Sequence, residues 1–164
     1  MSTDPTLFIV RGLPGSGKST IASRIVGSGV GVREADKFPG LYTYAEDGSV
    51  VFNGGQKDDS GLPMIARAHT WCQKMIREDL CFNVAVVANT FTQGWEFAPY
   101  LDMAREVGAR VVVVDCFDGG MSDEQLAERN VHGVPVDAIA AMRQRWEVDW
   151  RNADPRPPWQ RGDR

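Results

Sequence analysis

The residues best equipped for chemistry lie near the start of the chain, in Gly12-Leu13-Pro14-Gly15-Ser16-Gly17-Lys18-Ser19, followed at once by Thr20. Two glycines, a lysine and a hydroxyl residue at this G-x-x-x-x-G-K-[ST] spacing form a phosphate grip. Gly12, Gly15 and Gly17 permit backbone angles closed to other residues, so that several N–H groups can converge on phosphate oxygens. Lys18 adds a mobile positive charge for the β and γ phosphates, and the Ser19 hydroxyl suits a magnesium ligand. With Pro14, Ser16 and Thr20 these residues make the expected nucleotide-binding set.

Such a loop works only between a strand and a helix, and both are present in the pattern. Leu7-Phe8-Ile9-Val10 is a short apolar run that predicts a buried strand, and Thr20 to Val26 continues as a helix stopped by Gly27-Ser28-Gly29. The positive end of that helix faces the same anion as the loop.

Beyond it, Val30 to Ala35 predicts a second strand ending at Asp36. In open α/β sheets ligands sit beyond the carboxyl ends of the strands, so Asp36 can face the phosphate loop. Two readings fit Asp36: a general base that takes the proton of an accepting hydroxyl, or a cap for the next turn. From Phe38 to Leu62 turn residues alternate with aromatic ones, and Asp47-Gly48 between Tyr42-Thr43-Tyr44 and Val50-Val51-Phe52 predicts an inserted hairpin. Tyr42, Tyr44 and Phe52 would there either stack on a base or pack the hairpin onto its neighbour.

Pro63 to Leu80 has helical spacing, and His69 beside its apolar stripe reads as a packed or capping side chain. Val84 to Ala88 is the next buried strand, ending in Asn89-Thr90. A phosphate-loop enzyme often carries a magnesium-holding acid at this point; here stand Ala88 and Asn89, which bring no charge. A helix over Trp95–Val107 and the strand Arg110 to Cys116 continue a β-helix-β alternation, which predicts an α/β fold of three layers with a parallel sheet covered by helices. Ser122-Asp123-Glu124-Gln125 caps a polar helix to Arg129, and Val136 to Trp146 resumes helical spacing after Val131-His132-Gly133-Val134-Pro135. Residues 121–147 would then form a helical lid, with Arg129 either closing on the γ phosphate or paired at the surface with Asp123, Glu124 or Glu128.

The totals are consistent with one domain over residues 1–150 of the 164, and a Pro- and Arg-bearing tail over 151–164 that is either disordered or wrapped over the nucleotide side. The net charge of −4 argues against a surface that attracts nucleic acid as a whole, while leaving room for a local basic groove. Cys72, Cys81 and Cys116 are odd in number and lack C-x-x-C spacing, as expected of reduced thiols in a cytoplasmic protein. No signal-like or membrane-length apolar run occurs, so no membrane association and no obligate protein partner is expected.

Five ordered blocks carry a resemblance. They are Arg11 to Thr20, Ala35-Asp36, Ala68-His69-Thr70-Trp71, Asn89-Thr90 with Tyr100 downstream, and Arg129-Asn130-Val131-His132-Gly133-Val134-Pro135. Over roughly Leu7 to Glu147 the chain resembles the polynucleotide-kinase-like P-loop kinases, small ATP-binding enzymes that include phage DNA kinases. The resemblance implies ATP as donor with Mg2+, Asp36 as general base, and Arg129 on the donor phosphates beside Lys18. Together with the hairpin and the strand ends, the expected acceptor side comprises Asp36, Lys37, Tyr42, Tyr44, Asn89 and Thr90. Three positions depart from the family: Lys37 and Phe38 stand where an acceptor-phosphate arginine is usual, His132 and Gly133 where a second lid arginine is usual, and Ala88 replaces an Asp.

The leading expectation is transfer of the γ-phosphate of ATP to a hydroxyl on a nucleic acid, DNA before RNA. That hydroxyl is a 5′ end or the hydroxymethyl group of a modified pyrimidine such as 5-hydroxymethyluracil in phage DNA, the second requiring a base out of the stack. The alternatives are a kinase for a nucleoside, sugar or antibiotic hydroxyl, and a module that binds ATP without transferring it. The first gains from the acidic net charge and the second from Ala88.

Overall fold

The computed structural model describes residues 4–162. In chain order its principal elements are β1 (Thr6–Arg11), α1 (Lys18–Val26), β2 (Val32–Arg33), β3 (Tyr42–Tyr44), β4 (Val50–Phe52), α2 (Met64–Leu80), β5 (Val84–Asn89), α3 (Gly94–Glu106), β6 (Arg110–Asp115), α4 (Asp123–Arg129) and α5 (Val136–Gln144). Strands β2, β5, β1 and β6 lie side by side in that order, all parallel. Arg11 is in register with Asn89 on one side and Asp115 on the other, so three strands end flush at one rim.

Alternation along the strands divides the core into two faces. Leu7, Ile9, Ala85 and Val87 pack beneath α2 and α3, against Ala68, Cys72, Ile76, Phe97 and Tyr100. Val10, Val86 and Ala88 turn the other way, toward Ala22 and Ile25 of α1. The result is the expected three-layer α/β architecture of P-loop NTPases. Each large aliphatic side chain fully buried here contributes about 1.5–3 kcal/mol. Among the described residues no helix is long and apolar enough to cross a membrane.

Two elements are shorter than their apolar patterns suggest. Only Val32 and Arg33 pair in β2, because the Ala35 N–H donates to the Asn89 side-chain oxygen (2.8 Å) rather than to a ladder carbonyl. The chain then turns through a single 3-10 turn, Ala35–Lys37, which carries Asp36. Helix α5 ends at Gln144, and Trp146 lies beyond it, beneath the guanidinium of Arg11 at 4.1 Å from ring centroid. The inserted hairpin forms as expected, β3 antiparallel to β4 with Tyr42 opposite Phe52.

Arg11 is fully buried. Its Nη2 donates to the carbonyls of Thr92 (3.1 Å) and Glu147 (2.9 Å), and its Nε lies 3.4 Å from Asp115. Replacing it by methionine keeps most of the volume but leaves these acceptors without their charged donor. Arg11→Met is therefore expected to lower the unfolding free energy by about 2–4 kcal/mol in urea titrations. Arg77→Ala, which breaks an exposed pair with Glu106, should cost no more than about 1 kcal/mol; equal losses in the two variants would deny Arg11 its role.

Candidate functional site

At the rim where the strands end lies an open cavity of about 1000 Å³. Its floor is the phosphate loop, represented by Pro14, Gly15, Gly17, Lys18, Ser19 and Thr20. Gly15 and Gly17 both have positive φ, 79° and 93°, and Gly17 occupies the left-handed conformation that opens α1. The first N–H groups of any helix lack intrahelical acceptors, and Lys18, Ser19 and Thr20, which open α1, line the cavity. A side chain at Gly15 would collide with the carbonyl oxygen of Leu126 in α4. Leu126 and Ile139 bury against Leu13, so the helical pair α4–α5 sits directly on the loop.

Gly12 and Ser16 do not line the cavity. A Cβ at Gly12 would lie 2.6 Å from both Cys116 Cβ and Ser16 Oγ, so that glycine is required by packing beneath the loop. Ser16 is buried, and its Oγ has no hydrogen-bond partner among the described residues. The Lys18 ammonium donates to the Leu13 carbonyl at 3.1 Å. Burial lowers its pKa, opposed first by the charge of Asp36. This is a cation held in reserve where a phosphate would be welcome.

Asp36 faces the same cavity. Its Oδ1 accepts from the Tyr42 hydroxyl at 3.2 Å, and its Oδ2 lies 3.6 Å from His132 Nε2. The rings of Tyr42 and His132 stack at 4.6 Å, and the Tyr44 hydroxyl reaches His132 Nδ1 at 3.1 Å. Burial and the Asp36 carboxylate push the Tyr42 phenol upward in pKa, so it remains a donor to Asp36. Hairpin, lid segment and carboxylate thus meet at one point. Asp36 is still about two-fifths exposed, which leaves it open to a ligand.

Two expected acceptor-side residues lie elsewhere. Lys37 points outward, more than half exposed, and pairs with Glu34 at 3.6 Å. Tyr44 is 60% exposed and does not line the cavity: it shares a face of β3 with Tyr42 but lies two residues further along, where its hydroxyl ends at His132. Asn89 and Thr90 do line it, but Asn89 Oδ1 is committed to the Ala35 N–H and the Thr90 carbonyl to the Gly12 N–H. Arg129 lines the cavity with its Nη1 3.2 Å from Met121 Sδ. The surface pairing considered for it belongs instead to Arg143, which binds Asp118 and Asp123.

The remaining wall was largely hidden in the sequence. His69, Thr70 and Gln73 of α2 face Trp95, Glu96 and Asp102 of α3 across the cavity. A periodic apolar stripe identified α2, but not which polar residues beside it would look inward. Glu34 also lines the cavity and is buried, and Arg145 joins from the end of α5, its Nε donating to Thr92 Oγ1 at 3.1 Å. The stretch 151–162 wraps rather than hangs free: Pro155 and Pro157 line the cavity, and Trp159 packs edge-on against Trp95 at 5.1 Å. Cys72 and Cys116 are buried and free, and burial raises the Cys72 thiol to about 12, as befits an inert packed thiol.

A family model described as AAA domain matches residues 7–148. The chain belongs to that family. The chain is 27% identical over 144 residues to human NEDD4-binding protein 2, covering 86% of this chain and 8% of that protein. The chain therefore spans less than a tenth of that relative's length. Among solved structures, the Pnkp1/Rnl/Hen1 complex superposes with a TM-score of 0.54 at 17% identity, over 79% of this chain and 41% of that one. An AvrRxo1-ORF1:AvrRxo1-ORF2 complex with sulphate ions gives 0.50 at 18% identity, over 86% and 47%. These likenesses establish the α/β fold of a parallel sheet covered by helices, and leave substrate and activity open.

His69 supplies a test of the wall. Burial lowers its pKa below the ordinary 6.5, with Glu96 and Asp36 opposing. The unfolded chain then takes up a proton before the folded AAA domain does, so stability is present above that value and is lost as pH falls through the folded pKa. Wild-type protein should lose about 1 kcal/mol more than His69→Gln between about pH 7.5 and about pH 5.5 in urea unfolding. A larger loss in the variant would mean that the two carboxylates outweigh burial.

Proposed function

We propose that this AAA domain transfers the γ-phosphate of ATP to a hydroxyl group, with Lys18 on the donor and Asp36 as the base on the acceptor. The observation that carries the reading is the placement of a Tyr42-held carboxylate and the loop lysine on one cavity. An accepting hydroxyl that enters between them meets a proton acceptor on one side and the phosphate on the other. Ser19 would hold magnesium, whose bound charge neutralises the phosphates during transfer. Arg129 and Arg145, both at the cavity edge, are the cations available to the donor phosphates from the lid side.

For the acceptor, the proposal is a hydroxyl on DNA, and the hydroxymethyl group of a modified pyrimidine suits the cavity better than a 5′ end. Tyr42, Phe52 and Trp95 offer aromatic surface to a base lifted out of the stack. Lys37, the residue available for a terminal phosphate, is turned away from the cavity. One observation favours a second reading, a small-molecule hydroxyl: among the described residues the far wall carries Glu96 and Asp102 and no lysine or arginine to hold a phosphate backbone.

Labelled ATP offered in parallel with DNA containing 5-hydroxymethyluracil, 5′-hydroxyl oligonucleotides and free nucleosides or sugars decides among these. Label is expected in the hydroxymethylated DNA. Label in small molecules alone would overturn the DNA reading, and label nowhere with ATP still bound would leave a binding module. Lys18→Ala is expected to weaken ATP binding and turnover together, by about 10-fold or more each; unchanged ATP affinity would remove Lys18 from the donor site.

A further inference from the structure

Glu34 is a buried carboxylate at the edge of the cavity. Its side chain is about nine-tenths buried, its Oε1 has no hydrogen-bond partner among the described residues, and its one ionic neighbour is the largely exposed Lys37 at 3.6 Å from Oε2. A carboxylate this dry normally collects several donors or a cation. Glu34 nonetheless lines the cavity, close enough to Lys18 to act on that ammonium through charge.

Its position on the sheet explains what it faces. Val32 pairs with Val86 and Arg33 with Val87, so one further step along the same register sets Glu34 beside Ala88. Glu34 keeps extended backbone angles, φ −134° and ψ 133°, so alternation persists through it. Val32 packs with Val86 and Ala88 on the α1 side of the sheet, and Glu34, two residues on, turns to that same side, where Lys18 and Ser19 begin α1. Ala88 occupies the strand end where an acid would hold the metal shell of a phosphate-loop enzyme. The neighbouring strand carries a carboxylate one step across from it, oriented to the same face.

We propose that Glu34 supplies the magnesium-shell carboxylate that β5 lacks, holding the metal of a bound Mg·ATP from the β2 side while Ser19 holds it from α1. The bidentate pair of Arg33 with Asp79, 2.7 Å at both contacts, anchors β2 to α2 and keeps this arm of the site in place. The proposal rests on the nucleotide site described above and is independent of the acceptor.

The test reads metal binding directly, without turnover. Mn2+ is titrated by electron paramagnetic resonance into the full chain saturated with a non-hydrolysable ATP analogue. Glu34→Gln is expected to weaken Mn2+ in the ternary complex by about 10–100-fold, while metal-free analogue affinity is unchanged or tighter because a negative charge beside the phosphates is gone. Glu34→Asp, which keeps the charge but shortens its reach, should fall in between and serves if the Gln variant does not fold. Adding Ala88→Asp to Glu34→Gln should recover most of the lost affinity. Mn2+ affinity within about twofold of wild type in Glu34→Gln, or in Glu34→Asp if that is the variant measured, overturns the proposal. Normal metal affinity with a weakened acceptor would instead assign Glu34 to the acceptor. Failure of the wild-type chain to bind the analogue removes the nucleotide reading itself, a separate result.

Discussion

A buried guanidinium at the end of the central strand governs how the site is assembled. Arg11 leaves β1 just before the phosphate loop and is taken wholly out of water. Burial lowers its pKa, and Asp115, Glu96 and Glu147 restore part of the lost favour for the charge. Its hydrogen bonds go to Thr92, just beyond β5, and to Glu147, just beyond the lid helices, while Trp146 and Phe97 cover its face. One desolvated cation can be tolerated only if several chain segments converge on it. The segments that do so are those that bound the cavity.

The same junction orients α3. The Glu147 carboxylate accepts from the Gly94 N–H at 2.7 Å, placing a negative charge at the positive end of that helix, and the Glu147 N–H donates to the Thr92 carbonyl. Gln93 and Glu96 complete a reciprocal cap at the first turn. Trp95, Glu96 and Asp102 therefore face α2 from a helix fixed at its start. On the opposite flank Arg33 and Asp79 tie β2 to α2, and Asn89 ends the β2 ladder, which turns the chain so that Asp36 meets Tyr42. The glycine-rich loop, the α2–α3 wall and the α4–α5 pair are thus set by a few charged or amide side chains at strand ends, while the apolar core supplies the flat support beneath them.

This division explains what could be read from the sequence. The loop, the strand–helix alternation, the hairpin around Asp47-Gly48 and the capped helix after Ser122 all rest on local signals, and all are present. Asp36 was legible as a residue at a strand end. Its partners Tyr42 and His132 were not paired in advance, because they meet only when the hairpin and the lid segment fold against each other. Lys37 and Tyr44 end away from the cavity, on Glu34 and on His132, and these contacts form only in the folded chain, so no local pattern carries them. Arg11 and Glu34 carry charges inside or beside apolar runs, a mismatch visible in the sequence whose meaning appears only with their burial.

If Asp36 receives the proton of a hydroxyl while the loop presents the phosphate, as proposed, single-turnover transfer by Asp36→Asn must reveal it. The variant keeps the size of the side chain and removes its basicity. With ATP affinity measured separately, binding is expected to stay near normal and the transfer rate to fall by about 10²–10⁴-fold. Near-normal transfer in that variant would contradict it.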